Sequence, residues 1–173
     1  YTEKDNEVFD DTDLLTLLPI VAQLDVRSQV AELSLVGQLT DHWSVVANYA
    51  YIDARIVGDS RRPDRIGNRV RNVPYNNGNV WLRYDRPLRD CESIGAAFGM
   101  VHRGERPGDL ENTFVLPSYT RWDAGLYYNR GALRVAVYFE NLFDDRYYTG
   151  SENPLIVFPG APFNARGTIG LVY

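Results

Sequence analysis

At 173 residues the chain is long enough for one ordinary domain, and no stretch approaches the ~18 apolar residues of a transmembrane helix. A net charge of −5 argues against a general nucleic-acid binder, and a single cysteine, Cys91, excludes an internal disulfide framework. Hydrophobic residues make up 45%, which by itself describes a soluble protein, but a barrel in lipid hides its polar half in the lumen and never shows a long apolar run.

In chain order, a partial strand is expected over Tyr1 to Val8. Leu14 to Ala22 is apolar but short and interrupted by Pro19, and reads as loop. Asp10-Asp11-Thr12-Asp13 lacks the glycine and glutamate spacing of a calcium loop and reads as solvated. Period-two alternation then predicts strands. Ala31, Leu33, Leu35 and Leu39 oppose Glu32, Ser34 and Gln38, and a tight turn follows at Thr40-Asp41-His42. Trp43, Val45, Ala47, Tyr49 and Tyr51 oppose Ser44 and Asn48, and a polar loop runs from about Ile56 to Asn72. Gly78, Val80, Leu82 and Tyr84 oppose Asn79, Trp81 and Arg83, before a short turn from Asp85 to Asp90. Ile94, Ala96, Phe98 and Met100 oppose Ser93, Gly95, Gly99 and Arg103, and a second long loop spans Gly104 to Pro117. Trp122, Ala124, Leu126 and Tyr128 oppose Arg121 and Asp123, with a hairpin turn at Asn129-Arg130-Gly131. Leu133, Val135, Val137 and Phe139 oppose Arg134 and Glu140. A last long loop, from about Asp144 to Phe163, leads to a closing strand that carries Ile169, Leu171 and Tyr173.

Tight turns at one end and long polar loops at the other, strand after strand, are the pattern of a transmembrane β-barrel. Aromatic residues reach 13%, and their placement supports that pattern. Trp43 with Tyr51, and Trp122 with Tyr128, bracket the apolar faces of their strands, as two interfacial girdles do. The opposite face carries Glu32, Asn48, Arg83, Arg121, Asp123, Arg134, Glu140 and Arg166, which suits a wet or plugged lumen.

Several segments resemble the C-terminal barrel of TonB-dependent siderophore receptors. The most specific is Asn141-Leu142-Phe143-Asp144-Asp145-Arg146-Tyr147-Tyr148, similar to that family's penultimate-strand motif. Arg27-Ser28-Gln29 with Glu32-Leu33, Asn72-Val73-Pro74 with Trp81 and Tyr84, Gly104-Glu105-Arg106, Leu116-Pro117-Ser118-Tyr119 with Asp123, and Pro159-Gly160-Ala161-Pro162 match in collinear order. Ala31 stands where the family usually has Gly, Phe163-Asn164 replaces its usual Arg, and Tyr173 ends the chain where Phe is commoner.

The resemblance implies an all-β antiparallel transmembrane barrel segment, about seven full strands plus a partial first strand of a barrel of about 22 strands. Residues 1–173 would be its C-terminal portion, with the plug domain and TonB box absent. It further implies an outer-membrane receptor of a Gram-negative bacterium, not an enzyme, that imports a ferric siderophore with energy from the TonB complex. The expected partners are that siderophore, the rest of the barrel and its plug, TonB acting through the plug, and outer-membrane lipid, with no nucleic acid.

The iron of such a ligand is already coordinated, so the receptor needs aromatic and cationic surfaces rather than metal ligands or a cofactor. Tyr147, Tyr148 and Phe158 in the last loop, with Arg103 and Arg106 at the end of an earlier strand, are the candidates. His42 and His102 lie far apart without ligand spacing, and no catalytic constellation assembles. Two rival readings remain: a porin-like or small eight-stranded barrel closed by these strands alone, and a soluble carbohydrate-binding sandwich.

Overall fold

The structure is a computed structural model that describes residues 2–12, 16 and 18–172. Eight strands form one sheet in sequence order: β1 (Thr2–Thr12), β2 (Pro19–Gln38), β3 (Trp43–Gly58), β4 (Asn76–Arg89), β5 (Glu92–Arg103), β8 (Tyr119–Arg130), β9 (Leu133–Glu140) and β12 (Asn164–Leu171). Every pair is antiparallel. Two small ribbons stand inside the long loops, β6 (Arg106–Pro107) with β7 (Val115–Leu116), and β10 (Tyr148–Asn153) with β11 (Ile156–Pro159). Pro63–Arg65 makes one 3-10 turn.

Directly opposed residues of an antiparallel pair project to the same side, so the register assigns each residue a face. One rung runs Ser34, Asn48, Asn79, Val101, Arg121. Another runs Gln38, Ser44, Arg83, Ala97, Gly125, Tyr138, Arg166. All eight polar residues singled out from the sequence share this face. The other face carries rungs such as Val45, Leu82, Phe98, Ala124, Phe139, Ala165.

On that apolar face Leu33, Leu35, Leu82, Phe98, Leu126, Ile169 and Leu171 stay exposed. A patch of this size marks an interaction surface, and among the described residues no second layer covers it. A soluble sandwich would have to bury such a face against a second sheet. In a transmembrane barrel, lipid covers such a face.

The aromatic belts fix the tilt. At the short-turn rim Trp43 packs on Tyr84 at 5.0 Å. At the other rim Tyr51 stacks on Tyr75 at 5.7 Å, and Trp122 meets Phe98 at 5.2 Å. The rung of Trp43 reaches β8 at Leu126, two residues short of Tyr128. That offset is ~7 Å along the strand across ~14 Å of sheet, a slope of roughly 25°. At the other rim Trp122 lies on the rung of Ala47, four residues from Tyr51, a slope of roughly 40° in the same sense. Strands tilted ~35–45° in a bilayer require belts stepped this way.

The sequence reading needs five corrections. The first strand pairs only with the first half of β2, as a partial strand would, but it runs through Thr12 instead of ending at Val8, so Asp10 to Thr12 are strand rather than loop. Pro19 to Ala22 begin β2 rather than a loop, since a proline is tolerated at the first residue of a strand. Tyr1, residues 13–15 and 17, and Tyr173 lie outside the described residues. β3 continues through Gly58, and Asn68 and Val70 pair alongside it, so the loop after it is shorter than expected. β4 continues past Pro87, which a register shift between Pro87 and Arg89 accommodates, leaving a turn at Asp90-Cys91. The β8–β9 turn sits at Gly131-Ala132, with Gly131 at φ 54°.

Among the described residues β1 and β12 do not pair with each other. The sheet is thus an open sector with two free edges, not a small closed barrel, and free edges of this length call for neighbouring strands.

Candidate functional site

The three long loops, residues 59–75, 104–118 and 141–163, gather at one end of the sheet. The buried apolar cluster lies there: Ala22, Leu24, Val26, Ala54 and Ile56 on the polar-face side of β2 and β3, with Val70 and Leu110 laid over them. The loops therefore fold inward, over the face that will line the lumen.

Side chain to backbone clasps join them. Arg69 N donates to Asn112 Oδ1 at 3.0 Å, while Asn112 Nδ2 donates to the Arg69 carbonyl at 2.9 Å. Arg65 is buried between Asp59 and Glu111. Asn72, at φ 63°, donates to the Ser151 carbonyl at 2.7 Å and accepts from Ser151 N at 2.9 Å. Asparagine is among the few residues that adopt this left-handed backbone while bonding locally. Arg71 donates to the Glu152 carbonyl at 2.9 Å and to the carbonyl of Asp10, so it ties the last loop, next to one edge of the sheet, to the edge strand β1 at the other.

The root of the last loop explains the Asn141 to Tyr148 motif. Asn141 and Asp144 both hold left-handed backbone, φ 54° and 52°. Asn141 Nδ2 donates to the carbonyls of Asp145 and Ala161, and its Oδ1 accepts from Asp145 N. Asp144 accepts from Phe163 N at 2.8 Å, closing the loop at its base. Phe143 turns outward and meets Trp122 edge-on at 6.5 Å, while Phe163 stacks on Phe139 at 6.5 Å, both widening the outer belt.

The candidate ligand residues fall into two sets. Arg103 ends β5 on the inner face, exposed, and lines a polar recess of about 350 Å³ with Glu32, Ser34, Asn48, Asn77 and Asn79. Tyr148 and Phe158 are each 44% exposed on the β10–β11 ribbon. Tyr147 is only 7% exposed, packs on Tyr119 at 4.5 Å, and lies flat on Gly160, where a Cβ would come within 2.2 Å of its ring. Arg106 has no accessible surface. Its guanidinium donates to the Tyr148 carbonyl and lies 5.6 Å from the Tyr119 ring, and burial holds its pKa below the ordinary range. In this chain Arg106 and Tyr147 brace the ribbon from behind, whereas Arg103, Tyr148 and Phe158 present surface.

Sequence reasoning missed Asn112 and Ser151, and found Asn72 and Asn141 only as motif residues, without their role in holding the loops in place. Asn followed by a change of pattern was the visible signal, but partners up to 79 residues away have no local signature. His102 sits on the apolar face with Nδ1 2.9 Å from Thr120 Oγ1, and no group of metal-ligating side chains assembles among the described residues.

Comparison with known proteins agrees with this geometry. The family model described as "TonB dependent receptor-like, beta-barrel" matches residues 1–142. The metal–pseudopaline receptor CntO of Pseudomonas aeruginosa is 34% identical over 151 residues, 86% of this chain and 21% of the relative. The ferrioxamine B receptor of Salmonella typhimurium is 27% identical over 154 residues, 86% of this chain and 22% of the relative. The crystal structure of the siderophore receptor PiuA from Acinetobacter baumannii superposes with a TM-score of 0.71 at 26% identity, over 98% of this chain and 24% of that one. The chain spans about a fifth of the length of these curated relatives. It belongs to the β-barrel family of the TonB-dependent receptors.

Proposed function

We propose that this chain is the C-terminal sector of an outer-membrane receptor that imports a ferric siderophore, driven by TonB acting on a plug domain carried elsewhere in the protein. The observation that carries the reading is the inward fold of three clasped loops. Tyr148 and Phe158 are exposed on the ribbon that these loops hold, and Arg103 is exposed on the inner face, which supports their meeting a ligand that arrives from the long-loop side. Two rigid aromatic surfaces and a cation suit a large chelate whose iron is already fully coordinated. Tyr147 and Arg106 act behind them, by fixing the ribbon. The relatives' names as siderophore and metallophore receptors support the substrate class.

The test uses the full-length protein in an iron-limited Gram-negative host lacking its own receptors. Radio-iron uptake is measured with purified hydroxamate, catecholate and carboxylate siderophores. The reading expects uptake of one class, lost when TonB is deleted. TonB-independent passage of small solutes would replace it with a diffusive pore.

A further inference from the structure

The lumenal wall and the ribbon that presents Tyr148 and Phe158 are joined by one continuous set of hydrogen bonds. Arg121 and Asp123 stand on the inner face of β8. Arg121 Nη2 donates to Asp123 Oδ2 at 2.8 Å, and its Nη1 lies 3.5 Å from the Tyr147 hydroxyl. Asp123 is 3% exposed, and its other oxygen, Oδ1, accepts from Asn141 N at 2.9 Å. Asn141 is 1% exposed and its side chain ties both arms of the last loop, through the carbonyls of Asp145 and Ala161. The loop N-terminal to the ribbon is thus anchored at Asp145 and Tyr147, and the loop C-terminal to it at Ala161 and, through the Tyr147 ring, Gly160.

A buried carboxylate is costly unless its charge and lone pairs are satisfied. Asp123 is satisfied on both oxygens only while Arg121 and Asn141 hold these positions. Arg121 stands on the same strand and stays whatever the loop does, so a displaced loop would leave Oδ1 without its Asn141 N–H donor, and that unmet buried acceptor selects one ribbon orientation.

We propose that Asp123 and Asn141, with Arg121, are positioning residues that set the orientation of the Tyr148–Phe158 surface relative to the wall. The inference rests on that surface being the ligand-facing one. It also goes beyond it, because the device makes the state of a lumenal arginine part of the ligand site: Arg121 faces the lumen while its partner Tyr147 braces the ribbon.

The experiment uses the full-length receptor in lipid, with Cys91→Ser and spin labels at Leu155 on the ribbon and Arg89 near the short-turn end. Asn141→Gly keeps a residue that adopts left-handed backbone freely and removes only the side-chain bridges. Asp123→Asn keeps an oxygen for Asn141 N, and Asp123→Ala removes it. The expected result is a single narrow Leu155–Arg89 distance distribution in the parent and Asp123→Asn, broadened in Asn141→Gly and Asp123→Ala. With the siderophore identified by uptake, Kd should rise roughly tenfold in the two broadened variants, with the barrel's thermal unfolding unchanged in Asn141→Gly. If Asp123→Ala does not assemble, Asp123→Ser, whose shorter side chain also withdraws the oxygen from Asn141 N, takes its place, while Asn141→Gly tests the side-chain bridges alone. A narrow distribution in Asn141→Gly overturns the proposal. If the parent binds no ferric siderophore while the distance still broadens in Asn141→Gly, the functional reading falls and the positioning role stands.

Discussion

Placing Val137 on lipid and Thr168 in the lumen predicts unequal damage from charging neighbouring positions of one strand pair. Val137 lies opposite Leu126 and Gly167 on the apolar face, near the middle of β9. Thr168 lies opposite Ala136 on the other face, which also carries Tyr127 and Arg166. An arginine at the bilayer midplane costs ~2–4 kcal/mol, so Val137→Arg should lower the folding equilibrium by roughly 30-fold to 1,000-fold. Thr168→Asp places a carboxylate in hydrated surroundings, with a change within ~0.5 kcal/mol. The assay is urea unfolding of the full-length receptor in lipid vesicles, followed by tryptophan fluorescence. Heat-modifiable gel mobility would report assembly in cells. Equal destabilisation by both substitutions would mean that the two faces do not differ, and the reasoning from register to lipid contact would be wrong.

Other consequences follow from the same geometry. Native Cys91 is exposed in the β4–β5 turn and its carbonyl accepts from Gly131 N at 2.7 Å, so both short turns share one end. An impermeant thiol reagent should miss Cys91 in intact cells and label it after permeabilisation, whereas Arg61→Cys in the 59–75 loop should be labelled at once. The reverse pattern inverts the topology. Gly99→Ala would set a Cβ 2.5 Å from the Trp81 ring and 2.7 Å from the Val80 carbonyl, so it should destabilise by ~1–3 kcal/mol in thermal unfolding. A Trp81→Ala background should relieve only part of that. Tyr148→Ala and Phe158→Ala should each weaken siderophore binding by on the order of 1 kcal/mol in a fluorescence titration, without altering assembly. Unchanged affinity in both would leave the ribbon a purely structural role.

Period-two alternation made the faces of the sheet legible, because burial on one side and lipid on the other impose the same rule on every strand. The positions of Glu32, Asn48, Arg83 and Arg166 follow from it directly. Strand ends were less legible. Pro19 and Pro87 read as breakers, yet each occupies a position where a sheet tolerates proline. The ribbons β6–β7 and β10–β11 were invisible, because two to six residues give no period and their shape comes from distant partners such as Asn72 and Arg106. For the same reason Arg106 looks from sequence like a free cation at a loop, and only the fold shows it enclosed under Tyr119 and Tyr148.

The orientation of the two faces, one to lipid and one to the lumen, decides where the loops and the surface they present lie. Its most direct measurement is spin-label accessibility at successive positions 121–128 of β8 in the full-length receptor in bilayers, with oxygen and a polar nickel chelate as colliders. High oxygen accessibility is expected at Trp122, Ala124, Leu126 and Tyr128, and low oxygen accessibility at Arg121, Asp123, Gly125 and Tyr127. A flat profile, or one of opposite phase, would contradict the account.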